Sequence, residues 1–179
     1  MLIELPIAWI IALNVLVWLV IQLGLAWTLT QLSAKSFDAH NRFARPQSWE
    51  HDGRVYERVL AIKSWKDKLP DAAGWFRGGF PKAYLGAASP EFLAQFLRET
   101  WRGELVHWLA LLAVPFFCVW NPWWAVLVNA AYAVAANAPC ILVQRYNRAR
   151  LQRLLAMQTN REISCRSRTN RSARSPSRL

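Results

Sequence analysis

The chain has 179 residues, of which 54% are apolar and only 18% charged, and 11 are tryptophan. Soluble domains usually carry about 25% charged residues. Two stretches, 5–34 and 105–144, contain no charge at all, and a soluble domain of this size cannot bury both. The composition therefore excludes a soluble enzyme or transcription factor and predicts an all-α integral membrane protein.

The first predicted element is an apolar helix over about residues 6–32. As a helix this stretch would be roughly 40 Å long, enough to cross a hydrocarbon layer of about 30 Å. A cleaved signal peptide would instead have a basic start and a shorter apolar segment. Here Glu4 is the one early charge and Trp9, Trp18 and Trp27 interrupt the apolar stretch, so we predict a retained transmembrane helix.

The second apolar stretch, 105–144, is too long for one crossing. It contains Asn121-Pro122 near its middle, and proline disfavours helical geometry at the residue before it. We therefore predict a helical hairpin with spans at about 103–120 and 123–144. The first arm is short, and we expect it to continue a polar helix that starts at the capping signal Ser89-Pro90-Glu91.

The basic residues predict the orientation of these three helices. All 22 lysines and arginines lie in 33–104 and 145–179, and both ends of a hairpin must lie on one side of the membrane. The positive-inside rule then places the N-terminus outside, and an interfacial loop and helix region over 33–102 in the cytoplasm together with the C-terminus. We treat 1–158 as one membrane-embedded domain and predict that 159–179, rich in Arg and Ser, is a disordered tail.

A polar cluster marks the entry to the second span. On a helix, Glu99, Thr100, Glu104 and His107 share an arc of roughly 140°, with Arg102 beside Glu99. Ionisable groups at membrane depth are costly and indicate function, and a His paired with a carboxylate can accept a hydroxyl proton. An interfacial cap of satisfied ion pairs is the structural alternative.

A second polar group closes the last span. Asn129, Asn137 and Gln144 fall on one helical stripe, which predicts contact with a neighbouring helix or with a polar ligand. Three arginines emerge at the cytoplasmic interface: Arg145, Arg148 and Arg150. They either anchor the helix by the positive-inside rule or bind phosphate, to which the planar guanidinium is suited.

A third stretch, from Ile62 to Asp71, mixes basic and aromatic residues and is typical of an interfacial amphipathic segment. Asp71 is a possible third carboxylate for the site. No zinc spacing, phosphate-binding loop or serine elbow occurs in the chain, and we expect no metal. Because membrane topology explains the basic charge, we also expect no nucleic-acid partner.

These three blocks together resemble the glycosyl-4,4'-diaponeurosporenoate acyltransferase family of bacterial carotenoid biosynthesis. The resemblance covers about residues 8–155. It is carried by three motifs: Trp65-Lys66-x-Lys68-x-x-Asp71; Glu99-Thr100-x-Arg102-x-Glu104-x-x-His107-Trp108; and Asn137-x-Pro139 followed by Gln144-Arg145-Tyr146-Asn147-Arg148-x-Arg150-Leu151.

The resemblance implies transfer of a fatty acyl group to a sugar hydroxyl of a glycosyl carotenoid or related glycolipid, in the bacterial cell (inner) membrane. We expect acyl-CoA as the donor, membrane lipids as partners and no bound cofactor. The catalytic candidates are His107, Glu104, Glu99 and Arg102. The substrate-binding candidates are Arg145, Asn147, Arg148, Asn137, Gln144, Trp65, Lys66 and Asp71.

In the mechanism that we expect, His107 is the base and is oriented by Glu104 or Glu99. The arginines at 145 and 148 hold donor phosphates, and Arg102 or Asn147 stabilises the oxyanion, or Arg102 simply pairs with the acids. The alternative from another class is a non-catalytic membrane protein that binds lipid or organises a biosynthetic complex.

Overall fold

The computed structural model describes residues 3–38, 41–69 and 89–173, and every regular element in these ranges is helical. Four α-helices form the frame: α1 (Ile7–Gln31), α2 (Arg54–Val59), α3 (Pro90–Leu112) and α4 (Trp123–Ala173). Short 3-10 segments lie between them: Ala34–Ser36, Ser48–Gly53, Ile62–Ser64, Lys66–Lys68 and Val114–Val119.

Three helical segments of the described chain are long and apolar enough to cross a membrane: Ile7–Gln31, Glu91–Val119 and Trp123–Asn160. The prediction of one N-terminal span plus a C-terminal hairpin is therefore confirmed. The helix that carries the second span does begin at the predicted capping signal, where Ser89 Oγ accepts a hydrogen bond from the N–H of Phe92 (3.3 Å). Its α-helical part ends at Leu112, earlier than predicted.

A 3-10 helix with a proline in its first turn, Val114–Val119, completes this arm. Proline has no N–H to donate and fits the first turn of a helix better than its interior, which explains why α3 stops before Pro115. The turn at Asn121-Pro122 then reverses the chain, as the sequence predicts.

The C-terminal segment differs from its prediction. Residues 159–173, expected to be disordered, continue α4 to Ala173, and 174–179 lie outside the described residues. A helix that has already formed is inexpensive to extend, and the composition of a segment does not reveal this. No proline or glycine lies between Pro139 and Ala173, so nothing in the chain stops the helix.

The protein core lies in layers along the α3–α4 hairpin. Near the hairpin tip, Trp18 of α1 stacks on Phe117 with ring centroids 4.7 Å apart and packs against Ala133. At the opposite end, Trp101 packs with Leu29, and with Phe37 and Ala44 of the segment that follows α1. Two further layers lie beyond it, formed by Tyr56, Ile62 and Tyr146 and by Leu93, Phe96, Leu97 and Leu151.

Helix α1 is joined to α4 and to the hairpin tip by hydrogen bonds between polar side chains. Asn14 and Asn121 exchange two amide hydrogen bonds (2.9 and 2.8 Å), and Trp120 Nε1 donates to Asn14 Oδ1 (2.8 Å). One turn on, Trp18 Nε1 donates to Asn129 Oδ1 (2.8 Å). In lipid such groups have no water to bond to, so these pairs fix the position of α1.

We predict that Asn14→Ala lowers the free energy of unfolding in detergent by about 1–2 kcal/mol, because it leaves Asn121 and Trp120 without their partner. Chemical unfolding in mixed micelles measures this loss. Leu16→Ala is the control, since Leu16 lies on the same helix but is largely exposed on the outside. Equal stability of the two variants would contradict the role given to Asn14.

Candidate functional site

A buried network of four charged side chains joins the interior of α3 and of α4 to the segment before α2. Arg145 donates to Glu50 through Nη2 and also through Nε (3.0 Å), and to Glu104 Oε1 through Nη1 (3.0 Å). Arg148 pairs with the other oxygen of Glu104. Glu50, Glu104 and Arg148 are completely buried, so two acids and two bases neutralise each other out of water.

Neighbouring aromatic residues complete the network. Trp108 Nε1 donates to Glu104 Oε1 (3.0 Å), and the guanidinium of Arg148 lies 5.7 Å from the ring centroid of Trp101, within cation–π range. The phenol of Tyr56 is buried beside this group, and burial raises the pKa of Tyr56 above its usual value. Glu104 is thereby bound by two guanidiniums and one indole, which fix the position of its carboxylate.

The backbone of Ser48–Gly53 brings Glu50 to this network. His51 and Asp52 have left-handed backbone angles (φ 44° and 56°), and Gly53 follows at φ 88°. The backbone angle of Gly53 favours glycine, and a Cβ added there would lie in tight contact with the Tyr146 ring, at 3.3 Å. The turn directs Glu50 inward while the two residues after it stay at the surface.

His107 lies one helical turn after Glu104, and its partner is on α4. Its Nδ1 is 2.9 Å from Asn137 Oδ1, and Gln22 Nε2 of α1 donates to the same oxygen (3.1 Å). Asn137 is completely buried, and its Nδ2 donates to the carbonyl of Ala133 (2.9 Å). All three membrane helices therefore meet at Asn137.

The amide of Asn137 determines which nitrogen of His107 carries the proton. Because its NH2 group must face the Ala133 carbonyl, its oxygen faces the imidazole and can only accept. His107 Nδ1 therefore carries a proton, and in the neutral imidazole Nε2 carries the lone pair. A neutral imidazole in this tautomer presents Nε2 as a base, which is the property required of a proton acceptor.

The hydrogen bond at His107 Nδ1 is made with Asn137 and not with either of the two acids predicted to orient the imidazole. Glu104 is engaged by Arg145, Arg148 and Trp108, and Glu99 pairs with Arg102; Asn137 supplies the hydrogen bond to the imidazole instead. The periodicity of α3 predicts that the acids lie near His107. The periodicity of a single helix does not show which basic residues of a second helix pair with those acids.

Arg102 has a structural position. Its Nη1 donates to the carbonyl of Leu32 at the end of α1 (3.3 Å), and its guanidinium lies 5.8 Å from the ring centroid of Phe37. A cation suits the unpaired carbonyls of a helix C-terminus. Of the two roles predicted for Arg102, the ion pair with an acid is confirmed. Thr100, also buried, donates to the carbonyl of Leu97 (2.7 Å).

The remaining predicted binding residues lie in several places. The side chain of Gln144 packs on Gly103. A Cβ added to Gly103 would lie 3.1 Å from Gln144 Nε2. Trp65 packs near Ile62 and donates to the Leu60 carbonyl (2.8 Å), and Lys66 pairs with the adjacent Asp67. Asn147 is half-buried with no side-chain hydrogen bond to the described residues, and Asp71 lies outside the described residues.

Sequence reasoning missed Glu50 and Gln22. Glu50 belongs to a loop without helical periodicity, so no pattern indicates its burial. Gln22 and Asn14 had a signal that was available. They are polar residues eight positions apart inside an apolar span, and this spacing places them on nearly the same face of the helix. The polar stripe of Asn129 and Asn137 on α4 requires hydrogen-bonding side chains on a neighbouring helix.

Fold and site define a class. The chain is a helical membrane protein in which a buried ionic network joins α3 and α4 to the segment before α2. One helical turn after the network residue Glu104, Asn137 orients the imidazole of His107. A family model described as glycosyl-4,4'-diaponeurosporenoate acyltransferase matches residues 39–157. The chain belongs to this family.

Individual relatives agree with the family model. A glycosyl-4,4'-diaponeurosporenoate acyltransferase of Staphylococcus haemolyticus is 32% identical over 165 residues, covering 84% of this chain and 96% of the relative. A protein of the same name from Staphylococcus aureus (strain bovine RF122 / ET3-1) is 32% identical over 138 residues, which cover 77% of this chain and 83% of the relative. No solved structure matches.

We predict that Glu104→Gln lowers the free energy of unfolding by about 3 kcal/mol, because two guanidiniums are left near a neutral amide in a buried site. Unfolding in detergent measures the loss, and Glu91→Gln, an exposed acid on the same helix, serves as the control. Adding Arg148→Met to Glu104→Gln should restore part of the stability. The pairing would be contradicted if the double variant lost more free energy of unfolding than the two single variants lose together.

Proposed function

We propose that this protein is a membrane-bound O-acyltransferase that transfers a fatty acyl group to a sugar hydroxyl of a glycosyl-4,4'-diaponeurosporenoate or related glycosyl carotenoid. Family membership supports the reaction and the acceptor. The observation that carries the mechanism is the 2.9 Å contact of His107 Nδ1 with Asn137 Oδ1. It makes His107 Nε2 the basic nitrogen in a site between three helices.

In the first step, His107 Nε2 accepts the proton of the sugar hydroxyl as the hydroxyl oxygen attacks the acyl thioester carbon. Asn137 acts as a positioning residue, since it holds the imidazole in one orientation and one tautomer. Its oxygen also stabilises the imidazolium, because Nδ1 keeps its proton throughout. This is the division of roles between base and orienting residue that operates in acyl-transfer triads.

In the second step, the tetrahedral intermediate collapses to the ester and the carbon–sulfur bond breaks. The leaving thiolate takes the proton from His107 Nε2, which regenerates the neutral base. The negative charge on the carbonyl oxygen needs a hydrogen-bond donor in between. We assign this role to Gln22, whose Nε2 is already held beside His107 by its bond to Asn137 and has a second N–H to donate.

Gln22 replaces the two donors expected from the sequence. Arg102 is engaged with the end of α1 and with Glu99. Asn147 is ten residues after Asn137 on α4, a rise of about 15 Å, which is too far for both to serve one carbonyl group. The buried Glu50–Arg145–Glu104–Arg148 network likewise has a positioning role in our proposal, because it fixes α3 and α4 where His107 and Asn137 meet.

We also propose acyl-CoA as the donor, the bacterial cell (inner) membrane as the location, and the cytoplasmic side for the loop 33–102 and the C-terminus. The distribution of lysine and arginine supports this orientation. Acyl-CoA added to sealed inverted vesicles should be consumed, whereas right-side-out vesicles should leave it unused. Use from the outer side alone would contradict the orientation.

The experiment that tests the function is transfer of labelled acyl groups to a glycosyl carotenoid by protein in membranes. We expect wild type to form the labelled ester and His107→Ala to be slower by about 10²–10⁴-fold, as is usual when a general base is removed. The absence of ester from wild type, across several glycosyl carotenoid acceptors, would contradict the function.

Asn137→Ala and Asn129→Ala form a matched pair of variants for the mechanism. Each removes an interhelical hydrogen bond from the same stripe of α4, but Asn129 pairs with Trp18 about 12 Å of helix rise away. We expect both to lower thermal stability by similar amounts and only Asn137→Ala to lower kcat by more than about tenfold. Equal kcat values for the pair would contradict the positioning role of Asn137.

A further inference from the structure

A polar cleft of about 890 Å³ lies between the loop before α2 and α4, apart from the buried network. Its wall includes Arg42, Arg45 and Ser48 from the loop before α2, the strained pair His51 and Asp52, and Gln152 of α4. The volume falls within the range of small-molecule sites in proteins. The reaction steps proposed above use none of these residues.

The two arginines of the cleft are held in place by their backbone. Asn41 accepts two main-chain bonds, from the N–H of Ala44 (3.0 Å) and of Arg45 (2.8 Å). Ala44 is completely buried against Trp101. Arg42 and Arg45 flank this anchored residue, their side chains are exposed, and neither forms an ion pair within the described residues.

The opposite wall is fixed to the buried network. His51 and Asp52 hold left-handed backbone angles that cost free energy in non-glycine residues. The residues on either side maintain them, since Glu50 is paired with Arg145 and Gly53 packs on the Tyr146 ring. Asp52 contributes one negative charge, so the two guanidiniums leave the cleft with a net positive charge at neutral pH.

The charges of the cleft and of the network decide where a phosphate-bearing substrate can bind. Arg145 and Arg148, the phosphate ligands expected from the sequence, have their charge balanced by buried acids. Arg42 and Arg45 have no such partner among the described residues and face an open cavity. Exposed guanidiniums that converge on a cavity suit phosphate groups, which accept paired N–H bonds.

We propose that this cleft binds the nucleotide phosphates of the acyl-CoA donor, with Arg42 and Arg45 as the phosphate ligands; this inference rests on the proposed acyltransferase function. Gln152 in the cleft is fifteen residues beyond Asn137 on α4, a rise of about 22 Å. The long pantetheine arm of a CoA thioester suits this separation, since it can place the acyl carbonyl near His107 while the nucleotide stays at the surface.

The double variant Arg42→Gln/Arg45→Gln tests the proposal. We expect the KM for acyl-CoA to rise by about tenfold or more, since each charged hydrogen bond contributes substantially to binding, while kcat and the KM for the acceptor change less than about twofold. Arg58→Gln is the matched control, an exposed arginine of the neighbouring helix α2 that does not line the cleft. Equal KM values for the double variant and this control would overturn the proposal.

Two further arms separate the possible causes of such a rise. An acyl-pantetheine donor, which has no phosphates, should be used equally by wild type and the double variant, and adenosine 3',5'-bisphosphate should compete with acyl-CoA in wild type. No competition by the bisphosphate would overturn the assignment. A KM difference that is present with phosphatidylglycerol and disappears in phosphatidylcholine nanodiscs would assign the arginines to lipid headgroups instead.

These outcomes are distinguishable from failure of the proposed function. If wild type forms no ester from acyl-CoA or acyl-pantetheine, the acyltransferase proposal itself fails. If wild type forms ester from both and the double variant behaves as wild type with acyl-CoA, only the cleft assignment fails.

Discussion

The desolvation of polar side chains between apolar helices is the constraint on which the rest of this structure depends. In a hydrocarbon layer an amide or a charge without a partner is costly, so each polar residue inside a span restricts which helices can lie next to it. Asn14, Trp18 and Gln22 of α1 meet Asn121, Asn129 and Asn137 in that order. This pairing orients α1 parallel to α4 and fixes the position of α1 along the axis of the hairpin.

The same constraint operates on the charged side chains of the buried network. Glu50, Glu104, Arg145 and Arg148 come from three separate parts of the chain, and each needs another to be buried. Replacing a whole buried ionic group with apolar residues often leaves a protein equally stable. Stability alone therefore does not explain why this chain contains the network. Along α4 the network lies between the open cleft and the His107–Asn137 pair, and we propose that it sets the geometry of both.

Much of the fold follows from local sequence patterns. The uncharged stretches predict the spans, Asn121-Pro122 predicts the turn, and Ser89-Pro90 predicts the start of α3; the structure confirms all three. The helical state of 159–173 did not follow, because composition describes what a segment can bury and a helix extended from a stable end needs to bury nothing. Helix propagation is therefore sufficient to account for the C-terminal extension of α4.

The candidate site was less predictable, because its contacts join residues far apart in the chain. The sequence identified His107, Asn137, Glu104, Arg145 and Arg148, yet it paired His107 with the acids of its own helix. Glu104 instead pairs with arginines about 40 residues later, and Glu50 pairs with an arginine 95 residues away. Periodicity places residues on one face of one helix, whereas partners on other helices follow from tertiary packing.

The measurement that tests this account most directly is the tautomer of His107 in a lipid bilayer. Solid-state NMR of protein labelled with ¹⁵N-histidine, at pH 8, reports the proton position, and the spectrum of His107→Gln identifies the signals. We predict a proton on Nδ1 and an unprotonated Nε2, with that preference lost in Asn137→Ala. A wild-type imidazole protonated on Nε2 would contradict both the hydrogen bond to Asn137 and the role of His107 as the base.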